Sequence, residues 1–124
     1  MPEKKQILLV EDEPNIVISL KFLLENAGFN VDVETNGKDA LNHIFQQPPS
    51  VLVLDVMLPE LDGFEILKRV RTDPRVNRLP VLMLTAKGQR EDQKNAIEFG
   101  ADKFITKPFS NAEVVEAVES LVSI

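Results

Sequence analysis

Two kinds of segment alternate along the chain. Short uninterrupted apolar runs, Ile7–Val10, Val51–Leu54 and Val81–Leu84, lack the period-two alternation of a half-exposed strand. They suit strands covered by helices on both faces. Between them apolar residues recur at helical spacing, as in the stripe Ile16, Val17, Leu20, Leu23, Leu24 and Ala27. The pattern predicts β1 over Gln6–Val10, α1 over Pro14–Ala27, β2 over Asn30–Glu34 and α2 over Gly37–Gln46, the last with Ala40, Leu41, Ile44 and Phe45 inward. Then come β3 over Val51–Asp55 and, after Pro59 and Gly63, α3 with Phe64, Leu67 and Val70 inward. The remaining elements are β4 over Pro80–Leu84, α4 over Gln89–Phe99, β5 over Asp102–Ile105 and α5 over Ser110–Val122, whose stripe is Val114, Val115, Val118, Leu121 and Val122.

The punctuation agrees with these bounds. Pro14 suits a first helical turn, and Gly28 and Gly100 suit C-terminal caps. Pro48-Pro49 ends α2, because proline has no amide and clashes with a continuing helix. Ser110 and Glu113 have capping-box spacing. Regular βα alternation implies an α/β fold with a parallel, doubly wound sheet, and right-handed crossovers leave few topologies. Helix α4 departs from the regularity: its strong apolar candidates are Ala96, Ile97 and Phe99 alone. Such weak anchoring is what a movable element needs.

With 124 residues the chain is expected to form one domain, 1–124, with 1–5 as a short tail. It has no cysteine, which excludes disulfides, thiolate metal sites and cysteine nucleophiles. No apolar stretch approaches a membrane span, and the start lacks a secretion signal, so a cytoplasmic location is expected. The formal charge of −6, with no basic residue from Pro108 to Ile124, opposes direct nucleic-acid binding.

Each strand-like run ends in a polar group. β1 leads into Glu11-Asp12, β3 ends at Asp55, β4 leads into Thr85, and β5 leads through Thr106 into Lys107-Pro108. In a parallel doubly wound sheet the ligand site lies beyond the carboxyl ends of the strands, so these residues should meet. Crowded carboxylates repel one another, and a bound cation reverses that penalty. Oxygen ligands suit a hard ion such as Mg2+. Asp55 directly ends a central strand, and its carboxylate could attack phosphorus to give an acyl phosphate. Lys107 would balance phosphoryl charge and Thr85 would donate to a phosphoryl oxygen, since positioning and charge dominate such transfers. The only histidine, His43, lies within α2 and reads as a surface or structural residue. Arg69, Arg71, Arg75 and Arg78 read as a solvated face, because no stacking aromatics interleave them.

The segments ILLVEDEP, VLVLDVMLPELDGFE, PVLMLTA and GADKFITKPF, in this order and spacing, resemble the receiver domain of two-component response regulators, best known in single-domain form as the chemotaxis receiver. The resemblance implies a flavodoxin-like sheet of five parallel strands in the order 2-1-3-4-5, with five helices on its two faces. It implies that Asp55 is the phosphoacceptor. Asp12 and Asp55 would ligate Mg2+, for which Mn2+ could substitute, by their side chains; Met57 would do so by its backbone carbonyl and Glu11 through water. Thr85, the Ala86 amide and Lys107 would bind the phosphoryl group. Thr85 and Phe104 would form the switch, and Met57 and Lys87 would tune the phosphoryl lifetime. The Lys107-Pro108 bond would be cis. Phosphorylation would draw Thr85 toward the phosphoryl oxygens, turn Phe104 inward and alter the α4-β5-α5 surface. A full shift of such a switch takes about 5.5 kcal/mol of differential interaction.

The implied partners are a sensor histidine kinase or histidine phosphotransfer protein and a downstream protein target, without direct binding to nucleic acid or membrane. A transient homodimer is a further possible association. The dimer of the DNA-binding subfamily fits poorly, because Lys103 replaces an acidic residue and α5 has no basic one. Two other functions compete. An aspartyl-phosphate hydrolase would carry a second Asp two residues after the nucleophile, where Met57 stands. A non-phosphorylated receiver-like binding module would have no need of all five site residues.

Overall fold

The computed structural model describes residues 4–86 and 90–122. Its five strands, Gln6–Val10, Asn30–Glu34, Val51–Asp55, Val81–Thr85 and Lys103–Thr106, are all parallel and lie in the order 2-1-3-4-5. The helices are α1 Pro14–Asn26, α2 Gly37–Gln46, α3 Gly63–Thr72, α4 Arg90–Glu98 and α5 Asn111–Val122. The central pairing sets Leu8 beside Leu52 and Val53 beside Leu82, so β1, β3 and β4 run side by side and end together.

The continuous apolar runs follow from cover on both faces. Leu8, Val10, Leu52, Leu54, Val81 and Met83 pack with Ala40, Ile44, Ile66, Leu67, Val70 and Ala96 from α2, α3 and α4. On the other face Ile7, Leu9, Val51, Val53, Leu82 and Leu84 pack with Leu20 and Leu24 of α1 and Val114, Val118 and Leu121 of α5. Each fully buried aliphatic side chain contributes roughly 1.5–3 kcal/mol of burial free energy.

Several expected details are corrected. Helix α1 stops at Asn26, and Ala27 is exposed at the cap, because its amide is shared between the carbonyls of Leu23 and Leu24 and Gly28 (φ 102°) turns the chain away. The buried residues of α3 include Ile66, while Phe64 is only half-buried, edge-on to Phe99 at 5.7 Å. β4 begins at Val81 rather than Pro80 and takes in Thr85. β5 begins one residue late, at Lys103; Asp102 just before it joins Val81 twice, donating its amide to Val81 O at 3.0 Å and accepting the Val81 amide on its carboxylate at 2.8 Å. Helix α5 begins at Asn111, with Ser110 and Glu113 joined reciprocally at 3.2 Å in the expected capping box. The expected start of α4, Gln89, lies outside the described residues.

Arg71 is not on a solvated face. Its guanidinium donates to the carbonyls of Gly100 (2.8 Å), Leu79 (2.7 Å) and Asn77 (3.2 Å) and to Asp102 (3.0 Å). Arg75 is exposed but pairs with Asp73 at 2.8 Å and lies over the Phe45 ring. His43 is a structural residue, set between Glu34 at 2.8 Å and Asp32 at 3.5 Å on the edge strand.

Candidate functional site at the carboxyl ends of the strands

Asp55 is the last residue of β3 and is 4% exposed. The backbone around it is fixed from both sides. The Val56 amide donates to Leu84 O at 3.2 Å, and the Gly63 amide donates to Val56 O at 2.9 Å. Helix α3 starts so close to the strand end that a Cβ on Gly63 would lie 2.3 Å from the Asp55 carbonyl oxygen. In the connecting loop Glu60 adopts φ 68°, and the Leu61 amide donates across it to Pro59 O at 2.8 Å.

Glu11 is fully buried. Its Oε2 accepts the amides of Asp12 at 3.0 Å and Glu13 at 3.1 Å, just ahead of α1. The N-cap residue Glu13 makes no side-chain cap of its own, and Glu11 satisfies the two amides that lead into α1. Its Oε1 lies 2.9 Å from Lys107 Nζ, which in turn lies 3.3 Å from Asp55 Oδ2. Lys107 is tied to β4 by its amide, which donates to Thr85 O at 2.7 Å, and the Lys107-Pro108 bond is cis. Asp12 is exposed at the mouth, and Glu11, Asp12 and Asp55 offer carboxylate oxygens within 4.8 Å of one another.

Burial, and then the charge of Glu11, push the Asp55 carboxyl up to about 7, against the opposing pull of Lys107. Partial burial works against the Lys107 ammonium, but Glu11 and Asp55 outweigh it and raise its proton affinity. Among the described residues two buried side-chain oxygens lack a hydrogen-bond partner, Glu11 Oε1 and Thr85 Oγ1. The former touches Lys107 as an ion pair without hydrogen-bond alignment. Such a group of hard oxygens, with one carboxyl disfavoured as an anion by its neighbours, fits a divalent cation.

Glu11, Asp12, Asp55, Thr85 and Lys107 therefore stand at one sheet edge, as their positions at strand ends require. Ala86 follows directly and is half-buried. Met57 turns its side chain outward, 71% exposed, while its amide reaches Asp55 Oδ1 at 3.4 Å. Phe104 is half-buried against the core shared with α2, α3 and α4. Lys87 lies outside the described residues. The close contact at Gly63 escaped sequence reasoning, although the Asp62-Gly63 pair that opens α3 is a usable signal: Asp62 caps the helix by accepting the Glu65 amide at 3.0 Å.

The family model for the response regulator receiver domain matches residues 7–119. The chain belongs to this receiver family. It is 42% identical over 118 residues to the alkaline phosphatase synthesis transcriptional regulatory protein PhoP of Bacillus subtilis, covering 95% of this chain and 48% of that protein. It is 36% identical over 124 residues to the response regulator Rre1 of Synechocystis, covering 99% of this chain and 54% of that protein. The receiver thus spans about half the length of these relatives. Among solved structures it is similar to the Francisella response regulator 1452 receiver domain, with TM-score 0.89, 32% identity and coverage of 97% and 98% of the two chains. It is also similar to the receiver domain of the sensor histidine kinase PA1611 from Pseudomonas aeruginosa, with TM-score 0.90, 27% identity and coverage of 98% and 100%. That structure has a magnesium ion coordinated in its active site cleft.

Proposed function

We propose that this receiver is a phosphoacceptor switch of a two-component or phosphorelay system, phosphorylated on Asp55 and read out through the α4-β5-α5 surface. The observation that carries the reading is the position of Lys107, whose ammonium contacts both the Asp55 and the Glu11 carboxylates at the sheet edge. A lysine so placed neutralises a phosphoryl group added to Asp55, and the unpartnered Thr85 hydroxyl and the Ala86 amide supply donors beside it. Asp55 Oδ attacks phosphorus, the bond from phosphorus to the donor's imidazole nitrogen breaks, and that nitrogen keeps the electron pair. The product is an acyl phosphate on Asp55.

Mg2+, or Mn2+ in its place, would be held by the side chains of Asp12 and Asp55, the Met57 carbonyl and, through water, Glu11. When bound it supplies positive charge against the clustered carboxylates and phosphoryl oxygens. The rest belongs to the chain: Gly63 and Val56 hold the Asp55 backbone, and Glu11 and Thr85 O hold Lys107. A groove of about 490 Å³ that includes Ile16, Ser19, Pro108 and Phe109 adjoins Lys107 and suits the approach of a histidine kinase or histidine phosphotransfer protein. Phosphoryl recruitment of Thr85 with inward rotation of Phe104 presents a changed surface to a downstream protein.

The receiver is a switch rather than a turnover enzyme. Met57 has no strong donor or acceptor to orient an attacking water, so self-dephosphorylation is slow. No helix of the described residues is long and apolar enough to cross a membrane. Incubation with acetyl phosphate and Mg2+ tests the proposal. Intact-mass analysis should show one added PO3 unit on the wild type and none on Asp55→Asn or in the presence of a chelator. Equal labelling of Asp55→Asn, or no labelling of the wild type, refutes it.

A further inference from the structure

Helix α4 is held at its two ends by different means. At its C-terminal end the Gly100 carbonyl accepts from Arg71 at 2.8 Å, and the Ala101 amide donates back to Ala96 O at 2.8 Å. Further toward the N-terminus, the side-chain hydrogen bond that ties α4 to the sheet among the described residues runs from Gln93 Nε2 to Thr106 Oγ1, at 3.0 Å. The apolar grip is slight, because Ala96 is the one buried residue of the helix, and Ile97 is 55% exposed.

Thr106 is the last residue of β5, one before Lys107, and it is the register partner of Thr85. Alternation along a strand puts Thr85 and Thr106 on the same face as Met83 and Phe104, the face under α3 and α4. The acceptor of the Gln93 bond is therefore the neighbour of the unpartnered Thr85 hydroxyl on one side and of Lys107 in sequence on the other. We propose that the Gln93–Thr106 hydrogen bond is the latch of α4, a polar tether that is given up when Thr85 and Lys107 close on the phosphoryl group, so that α4 is released about its fixed C-terminal end. Gln93 is thus a positioning residue and touches no reacting atom. The step rests on the phosphoacceptor reading; the resting tether does not.

The test uses the full chain and hydrogen exchange of the backbone amides of residues 93–98, before and after treatment with acetyl phosphate and Mg2+, with intact mass recorded on each sample. In untreated protein, Gln93→Met and Thr106→Val should each raise exchange of these amides about fivefold, the factor that corresponds to roughly 1 kcal/mol for one net hydrogen bond. Amides of β1 and β3 should be unchanged, and Thr106→Ser, which keeps the hydroxyl, should match the wild type. In phosphorylated protein the wild type should reach the exchange of the two latch variants, because the bond is already broken. Unchanged exchange in untreated Gln93→Met and Thr106→Val overturns the tether. A variant effect that persists undiminished in protein carrying the added mass overturns the release. Absence of added mass on the wild type is the failure of the phosphoacceptor reading, and the untreated comparison still decides the tether.

Discussion

Helices α3 and α4 follow neighbouring central strands and flank the same site, yet they are fastened differently. Helix α3 buries Ile66, Leu67 and Val70, is capped by Asp62 and begins in backbone contact with the end of β3 at Gly63. Helix α4 buries Ala96 alone and is tied by Gln93 and, at its far end, by Arg71. On the proposed phosphoacceptor reading, the difference separates two tasks. The corner that bears Asp55 would have to stay still, because an in-line attack tolerates little misplacement. The corner at α4 would have to move for a small input, and few buried contacts make that inexpensive.

The comparison is tested hardest at Gly63. An added methyl would lie 2.3 Å from the Asp55 carbonyl oxygen, a backbone atom that cannot rotate aside. Gly63→Ala should therefore cost about 3–5 kcal/mol in urea unfolding, the range of severe steric replacements, and lower acetyl phosphate labelling of the folded fraction. A loss below about 1 kcal/mol would mean that this corner yields as easily as α4.

Arg71 comes next, because it stands between the two corners. Four hydrogen bonds join its place in α3 to the chain entering β4, to the end of α4 and to Asp102, which in turn holds the first amide of β4. Arg71→Met should cost about 2–3 kcal/mol, since the carbonyls of Gly100 and Leu79 lose their charged donor in a half-buried setting. Arg69→Met, which loses an exposed pair with Glu65 at 3.4 Å, should cost less than about 0.5 kcal/mol. Equal losses in urea unfolding would remove Arg71 from its linking role.

These two arginines also mark what could be read in the sequence and what could not. The strands were legible because burial on both faces leaves an unbroken apolar run, and the site was legible because each run ends in the polar residue that faces the ligand edge. Asp55, Glu11 and Lys107 needed little more than their places at strand ends. Arg69 and Arg71 look alike in sequence, and only the fold brings Gly100, Asn77 and Leu79 to the second of them. Long side chains that satisfy carbonyls of distant turns leave no periodicity. The same holds for Gln93 and Thr106, two ordinary polar residues that tertiary packing makes partners. The bounds of β4 and β5 differ by one residue for a related reason: Asp102 joins Val81 through both its amide and its carboxylate, a closure that leaves no mark in the apolar pattern.

The smallest expected effect concerns the disadvantage at which the stiff corner holds its own carboxylate. Burial and Glu11 raise the Asp55 carboxyl from its ordinary 3.8 to about 7. An acid whose proton affinity is higher in the folded chain binds more protons there than when unfolded, so metal-free stability falls as pH rises through that window. The penalty is complete above about pH 7 and absent below about pH 4. Asp55→Asn removes the buried charge and also its attraction to Lys107, and these oppose each other. A net gain of about 1–2 kcal/mol is expected at pH 8 with a chelator present, shrinking toward zero as pH falls to about 4. Urea unfolding of both proteins across this range measures the difference and cancels the titration of other groups. Mg2+ at pH 8 should raise the stability of the wild type and leave that of Asp55→Asn nearly unchanged, because binding only the folded state stabilises it. A difference between the two proteins that stays constant with pH would show that Asp55 is ionised in the folded chain without penalty.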